Sequence, residues 1–432
     1  MKKIRQLHSD SPNFRAEFEE LLQRGNVDMD SVIPSVSSLI KEIRERGDEA
    51  LLAHVAKFDR WIPANPAQLS ISTELMEESY KNLDHSLRDA LHRAYDRIFA
   101  FHAKQKPKSW LDFEDNGTIL GQKVTPMDRA GLYIPGGKAA YPSSLLMNAI
   151  PALVAGVKEI AICTPTPSNE PNELLLAACH LCGIKEVYKV GGASAIAAMA
   201  YGTQSIRRVD VITGPGNIYV ATAKKLVFGQ VNIDMVAGPS EIGILADDSA
   251  KAYLIALDLL SQAEHDEMAS SILVTTSKRL ASEVHSRVAE ALEALERKEI
   301  SSKSIYTRGA IILAQDMQEA VALMNEIAPE HLEVVSENPF ALLPMIRHAG
   351  AIFLGENTPE PIGDYIAGPN HTLPTGGTAR FYSPLSTENF MKKSSILSFS
   401  HAGIQELGKH CAELAQAEGL YAHKKSVSAR LV

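Results

Sequence analysis

The sequence predicts an α/β protein made of two tandem Rossmann-like parallel-sheet domains, with a helical N-terminal leader and a helical C-terminal tail. Three observations carry that expectation. From Gly131 onward, short apolar runs closed by glycine-containing turns alternate with amphipathic stretches, as strands and covering helices do in a parallel sheet. The alternation comes in two successive series, separated by a turn-rich stretch near Pro239. A chain of 432 residues is also long enough for about two to three domains, each with its own core.

The elements follow in order. From Ile4 to about Gln105 the apolar positions have helical spacing, as in Val32-Ile33, Val36, Leu39-Ile40 and Ile43, and Gly47 gives a stop signal after Arg46. The first series of β-type runs covers 131–137, 159–164, 187–192 and 210–216. The second covers 242–246, 271–275, 310–314 and 351–354. After Thr375-Gly-Gly377 the sheet pattern stops, and a polar helical tail marked by Leu414, Ala417 and Leu420 runs to Val432. The turn-rich joins near 105–125 and Pro239 are the expected domain boundaries.

Composition narrows the function. The net charge of −9 comes from 43 basic and 52 acidic residues mixed along the chain, without the basic stripe that nucleic-acid binding requires. Met1-Lys2-Lys3 leads into Gln6, His8, Ser9 and Asp10, where a signal peptide would be apolar. The most apolar stretch, Leu145 to Val157, is broken by Asn148 and Pro151 and is too short to span a bilayer. These features lead to an expectation of a cytoplasmic protein with no membrane or nucleic-acid partner. Cys163, Cys179, Cys182 and Cys411 are too few and too uneven for a disulfide framework. Cys179-His-Leu-Cys182 resembles a metal half-site, but no second half completes it, and it lies in an amphipathic run where cysteine packs as a small apolar residue.

Candidate chemistry lies mostly in the second half. In doubly wound folds, ligands bind beyond the carboxyl ends of strands, where glycine lets backbone approach a phosphate. Gly214-Pro-Gly-Asn217 is such a turn, though it lacks the GxGxxG spacing and is equally a tight strand-to-helix connection. Gln262 and His265 share one helical face and could bind a divalent metal or simply form a polar helix end. Pro329-Glu-His331 sets an acid beside an imidazole, either an acid/base pair or an exposed helix end. The loop Gly363-Asp364 to Gly368-Pro-Asn-His371 offers a carboxylate and an imidazole, and His423 lies in the tail. His54, His85, His92, His285 and His348 fall in charged helical stretches and read as solvated.

Taken together, several clusters resemble the histidinol dehydrogenase family over nearly the whole chain. They are Gly131-Leu-Tyr-Ile-Pro-Gly-Gly137, Gly214-Pro-Gly-Asn217, Asp234-Met-Val-Ala-Gly-Pro-Ser-Glu241, Leu259-Leu-Ser-Gln-Ala-Glu-His265, Pro329-Glu-His-Leu332, Gly368-Pro-Asn-His-Thr-Leu-Pro374 and Glu418-Gly-Leu-Tyr-Ala-His423. The resemblance implies oxidation of L-histidinol through L-histidinaldehyde to L-histidine, with two NAD reduced and a zinc ion in the site. It implies Gln262, His265, Asp364 and His423 as zinc ligands, a nitrogen and oxygen set that leaves room for the substrate. It implies His331 as general base in both oxidations and Glu330 as the group that activates water. Ser240, His371 and Glu418 are implied substrate contacts, joined by His331 and the metal ligands, and Tyr133 and Asn217 are implied NAD contacts. One position departs from the family pattern: after Val190-Gly-Gly-Ala193, where a glutamine usually touches the cofactor, this chain has the shorter Ser194.

The expected division is 1–27 as an N-terminal helical segment, 28–110 with 244–384 as the α/β domain carrying most metal and catalytic residues, 111–243 as the α/β domain with the NAD-binding turns, and 385–432 as the helical tail. The resemblance further implies a homodimer in which each tail completes the partner's site. Two alternatives fit the residues alone. One is oxidation of another small polar alcohol with the same zinc and base; the other is a zinc hydrolase using Glu330 and His331.

Overall fold

Runs of β-branched and small apolar residues, too uniformly apolar for one-sided burial, pair into two six-stranded sheets covered on both faces. The computed structural model describes residues 3–23, 28–136 and 141–431; Gly137 and part of the 1–27 segment lie outside the described residues. In chain order the strands are β1 (Arg5–His8), β2 (Ser70–Ile71), β3 (Trp110–Phe113), β4 (Ile119–Pro126), β5 (Arg129–Tyr133), β6 (Glu159–Thr164), β7 (Glu186–Lys189), β8 (Val211–Thr213), β9 (Asn232–Ile233), β10 (Glu241–Ala246), β11 (Ser270–Thr275), β12 (Ala310–Leu313), β13 (His331–Val335), β14 (Ala351–Leu354) and β15 (Met391–Ser398). The first sheet has the order β2-β7-β6-β5-β8-β9 and is parallel except for β2. The second, β1-β12-β11-β10-β13-β14, is parallel throughout. All eight β-type runs expected from the sequence became strands of these sheets.

Three expectations about organisation need correction. Residues 28–110 share their cores with the first sheet's layer rather than with 244–384. Helices Ile33–Arg46 and Asp48–Phe58 bury Val36, Ile40, Ile43, Leu51 and Val55 in one core with Ile196, Met199 and Val220 of the first sheet's layer. Helices Thr73–Lys81 and His85–Gln105 cover the other face, with Met76, Leu91 and Ile98 against Leu145, Ile150 and Leu176. Nor is the N-terminal segment purely helical, because Arg5–His8 adds a parallel edge strand beside β12. The tail contains an eight-residue strand, β15, paired antiparallel to β4, which also pairs with β3. That three-stranded arm is polar or exposed along most of its length, so it has no buried face whose alternation would reveal it.

Helix Pro142–Ala155 is buried on nearly every side, which explains its uninterrupted apolar character without a membrane. Among the described residues no helix is long and apolar enough to cross a bilayer. Pro151 inside this helix cannot donate to the carbonyl of Met147, and Asn370 fills the vacancy by donating its amide to that oxygen at 2.5 Å. A helix defect in the first sheet's layer thereby anchors the 366–375 loop of the second. Cys163, Cys179 and Cys182 are buried free thiols, with burial raising each pKa, so the half-site reading is not needed.

Candidate active site

The second sheet presents its functional residues at the amino ends of its strands. Helix Met317–Ile327 ends in Ala328, which takes a left-handed conformation, and the chain turns at once into Glu330 and the start of β13 at His331. Both side chains are buried, so the exposed-helix-end reading of this pair does not hold. His331 Nδ1 donates to the carbonyl of Glu241 at 3.0 Å, and its Nε2 then faces Asp364 Oδ1 at 3.4 Å. Glu330 accepts from the Glu241 N–H at 2.8 Å. Helix Ala252–Ala263 contributes Gln262 and, just beyond its end, His265; helix Glu360–Tyr365 contributes Glu360 and Asp364.

One ligand atom each from His265, Glu360 and Asp364 lie within 4.8 Å of one another. The Gln262 amide lies against Glu360. With its NH2 turned that way it donates to Glu360 Oε2 at 3.1 Å, and its oxygen accepts from Glu241 N–H at 2.8 Å. With the oxygen turned there instead, two oxygens face each other, an arrangement that a cation between them stabilises. His331 Nε2 and Asp364 Oδ1 are buried without a well-formed hydrogen bond. Oxygen and imidazole donors with two orphaned polar atoms fit a divalent cation such as zinc.

Electrostatics agree with a site short of positive charge. Burial pushes the Glu330 carboxyl up to about 8 and the Glu360 carboxyl up to about 7. Burial opposes a charged His331, yet Glu330, Glu360 and Asp364 outweigh it and hold the imidazole pKa well above its usual value. Burial likewise opposes ionised Asp364, but the nearby imidazoles of His331, His371 and His265 hold it below the usual carboxylate range. A cavity of about 310 Å³ opens beside this cluster, lined by His331, Asp364, His371, Phe353 and Asn370. His371 Nδ1 donates to the Asp364 carbonyl at 2.9 Å, while its Nε2 reaches Ser144 Oγ of the first sheet's layer at 3.4 Å.

Sequence reasoning missed Glu360, although it stands four residues before Asp364 and shares its helical face. It also missed Glu333 in the middle of β13, whose Oε1 accepts the Glu360 N–H at 2.7 Å. Ser240 lies half-buried just before β10, and its carbonyl accepts from Ser270 N–H at 3.0 Å. Glu418 and His423 are exposed on the tail, and helix Tyr421–Ser428 has no buried residue; they do not converge with the cluster within one chain.

Tyr133 and Asn217 stand apart from the cluster, at the carboxyl ends of β5 and β8, neighbours in the first sheet. Tyr133 is buried and its hydroxyl accepts from Gly192 N–H at 3.1 Å. Asn217 caps helix Ile218–Val227 through Oδ1. A Cβ at Gly136 would lie 2.9 Å from the Pro165 carbonyl, so backbone approaches closely here. Thr166 Oγ1 is buried without a partner beside a cleft of about 510 Å³ that Gly136, Pro165 and Ser168 also line. Strand ends, glycine and helix N-termini fit a dinucleotide. Ser194 is buried with its hydroxyl on His54 Nδ1 at 3.1 Å, and His54 Nε2 meets Glu42 at 3.2 Å. His54 is therefore a bonded core residue, contrary to its solvated reading, because helix Asp48–Phe58 packs its face inward.

Residues 22–431 match the histidinol dehydrogenase family. The chain belongs to the histidinol dehydrogenase family. The histidinol dehydrogenase of Wolinella succinogenes is 81% identical over 432 residues, covering 100% of both chains. That of Sulfurimonas denitrificans is 66% identical over 424 residues, covering 98% of this chain and 99% of the relative. The crystal structure of histidinol dehydrogenase from Elizabethkingia anophelis superposes with a TM-score of 0.94 at 36% identity, covering 100% of this chain and 98% of that one. The whole histidinol dehydrogenase architecture, arm and tail included, is thus shared with a solved member.

Proposed function

We propose that the chain oxidises L-histidinol through L-histidinaldehyde to L-histidine with two NAD as hydride acceptors, and that zinc is held by Gln262, His265 and Asp364 together with His423 from a second copy. The convergence of His265, Glu360 and Asp364 around His331 carries this reading. When bound there, zinc would orient the amino alcohol and polarise its oxygen, having no redox chemistry of its own.

The protein groups divide the work. A cation at the cluster would offset the carboxylates that favour a charged His331, and because the Glu241 carbonyl holds Nδ1, Nε2 is the atom that takes the alcohol proton as hydride leaves carbon for the nicotinamide. Glu330, one residue away, removes a proton from the water that adds to the aldehyde, and the second hydride leaves from the resulting hydrate. Ser240, His371 and Glu418 contact the substrate, a hydroxyl, an imidazole and a carboxylate suited to a cationic amine and its ring. Tyr133 and Asn217 shape the turn that receives NAD.

Exposure supports the second copy. Trp110, Leu111, Phe113, Leu397, Phe399, Leu407, Leu414, Leu420 and Tyr421 are exposed along the arm and tail, far more apolar surface than one short segment of a monomer leaves open. A homodimer that buries this surface brings Glu418 and His423 to the partner's cluster. The test is absorbance of reduced nicotinamide on adding L-histidinol and NAD, with and without a chelator. A chelator-sensitive signal with two NADH per histidinol is expected; no NADH from the zinc-loaded protein would refute the proposal.

A further inference from the structure

One buried ion pair lies outside the catalytic cluster and has no part in the chemistry proposed above. Lys224 of helix Ile218–Val227 meets Asp234, with side chains 3% and 0% exposed. Removing two charges from water is costly, so such a pair persists where further hydrogen bonds use it. Here those bonds converge on one residue of the turn after β8. Lys224 Nζ donates to the Gly214 carbonyl at 2.9 Å, and Asp234 Oδ2 accepts from the Gly214 N–H at 2.8 Å. The second oxygen, Oδ1, faces the ammonium and accepts from Met235 N–H at 2.6 Å.

The two peptide groups that flank the Gly214 Cα are therefore held by buried ionised groups, whose hydrogen bonds are about twice as strong as neutral ones. The third side is closed by β5: Gly214 has φ +118°, and a Cβ there would lie 2.0 Å from the Tyr133 carbonyl oxygen. Beyond this fixed point the turn opens, with Pro215 and Gly216 half-buried and Asn217 exposed. The pair also ties the turn to the crossing segment toward Ser240, since Met235 follows Asp234 directly and Gly238 N–H is bonded to Thr375 Oγ1 at 2.5 Å.

We propose that Lys224 and Asp234 are positioning residues that hold the 214–217 turn, before any ligand arrives, in the shape that receives the dinucleotide. This rests on the reading that the turn binds NAD. A preformed turn spares the ordering cost at binding, so the pair acts on NAD affinity and leaves the substrate cluster alone.

The test uses the zinc-loaded full-length protein. Lys224→Met alone strands a buried carboxylate and risks the fold, so the informative variant is Lys224→Met with Asp234→Asn, which removes both charges and keeps an acceptor for the Gly214 N–H. The expected result is a rise of about tenfold in the NAD dissociation constant and KM, with KM for L-histidinol changed by less than about twofold. Peptide hydrogen exchange should show the Gly214 amide slow in the ligand-free parent and faster in the double variant. A folded double variant with parental NAD affinity, or equal rises in both KM values, overturns the proposal. So does rapid exchange of Gly214 in the parent, a measurement that needs no variant. If NAD leaves exchange over 213–220 of the parent unchanged, the turn is not the cofactor site, and the failure lies in that underlying reading rather than in the clamp.

Discussion

Replacing Glu330 by glutamine separates the two oxidations. The residue is 6% exposed and its side chain accepts the Glu241 N–H at 2.8 Å, a bond that the amide oxygen of glutamine keeps in the same volume. The fold should lose less than about 1 kcal/mol, since the buried Glu241 N–H keeps its acceptor. What disappears is the carboxylate that burial makes unusually basic, with its pKa pushed up to about 8. Loss of a positioned general base slows its step by about 10²–10⁴-fold, which corresponds to about 3–5 kcal/mol of barrier. On the proposed division of labour the alcohol step uses His331 and should slow by less than about tenfold, through altered electrostatics alone. Stopped-flow traces of NADH formation, started once from L-histidinol and once from L-histidinaldehyde, measure the two steps. The sign of the pH dependence is also fixed: the working form is the carboxylate, so aldehyde oxidation by the parent climbs as pH rises toward about 8, and the glutamine variant lacks that climb. Equal losses in both half-reactions would refute the division between Glu330 and His331.

Chelation should abolish turnover while leaving far-UV circular dichroism native, because four separate hydrophobic clusters hold the fold; unfolding on chelation would make the metal structural. Mixing His331→Asn chains with His423→Asn chains under subunit exchange should restore about a quarter of all sites, since about half the dimers are mixed and each has one undamaged site. Verified exchange without recovery would show that the tail serves its own chain. Glu186, paired with Arg129 and lowered to about 2, has a folded pKa below its unfolded value, so its contribution is present above about pH 5 and lost as pH falls toward 2. Discounted for its partial exposure, it should stabilise by about 1–2 kcal/mol at pH 7; urea melts of Glu186→Gln that show the same deficit at pH 3 would contradict this.

The sequence made the strands of the two sheets readable where burial on both faces left apolar runs, as in β6, β10 and β11. It hid β13, because His331-Leu-Glu-Val-Val places a buried acid, Glu333, in the middle of the strand, where its bond to the Glu360 N–H holds it. The assignment of 28–110 failed for a different reason. Amphipathic helices show which face they bury but not which sheet receives it, and Val36 or Met76 would suit either core. Gln262, His265 and Asp364 could be singled out because polar residues interrupt apolar periodicity there. Glu360 passed as an ordinary helix-start acid between two prolines, and its burial became visible only once helix Glu360–Tyr365 was seen against Gln262 and Ser261.

The two halves of the site obey opposite end rules, and the backbone gives the reason. At the first sheet the turns proposed for NAD follow the strands and lead into helix N-termini, at Gly192 and Ile218, where the helix dipole favours phosphate. At the second sheet the cluster precedes the strands, so it collects helix C-termini: Gln262 and His265 close helix Ala252–Ala263, and Glu330 follows helix Met317–Ile327. Carbonyl-rich ends favour positive charge, each by about 0.3–1 kcal/mol, the right sign for a divalent cation and a protonated amino alcohol. The bond from His371 to Ser144 joins these unlike surfaces, because Ser144 lies in the first turn of the helix after β5 and His371 lies on the loop that follows the helix carrying Asp364. The proposed hydride transfer needs the anionic cofactor and the cationic substrate on facing surfaces, and this reversal of strand direction across the junction would supply a surface for each.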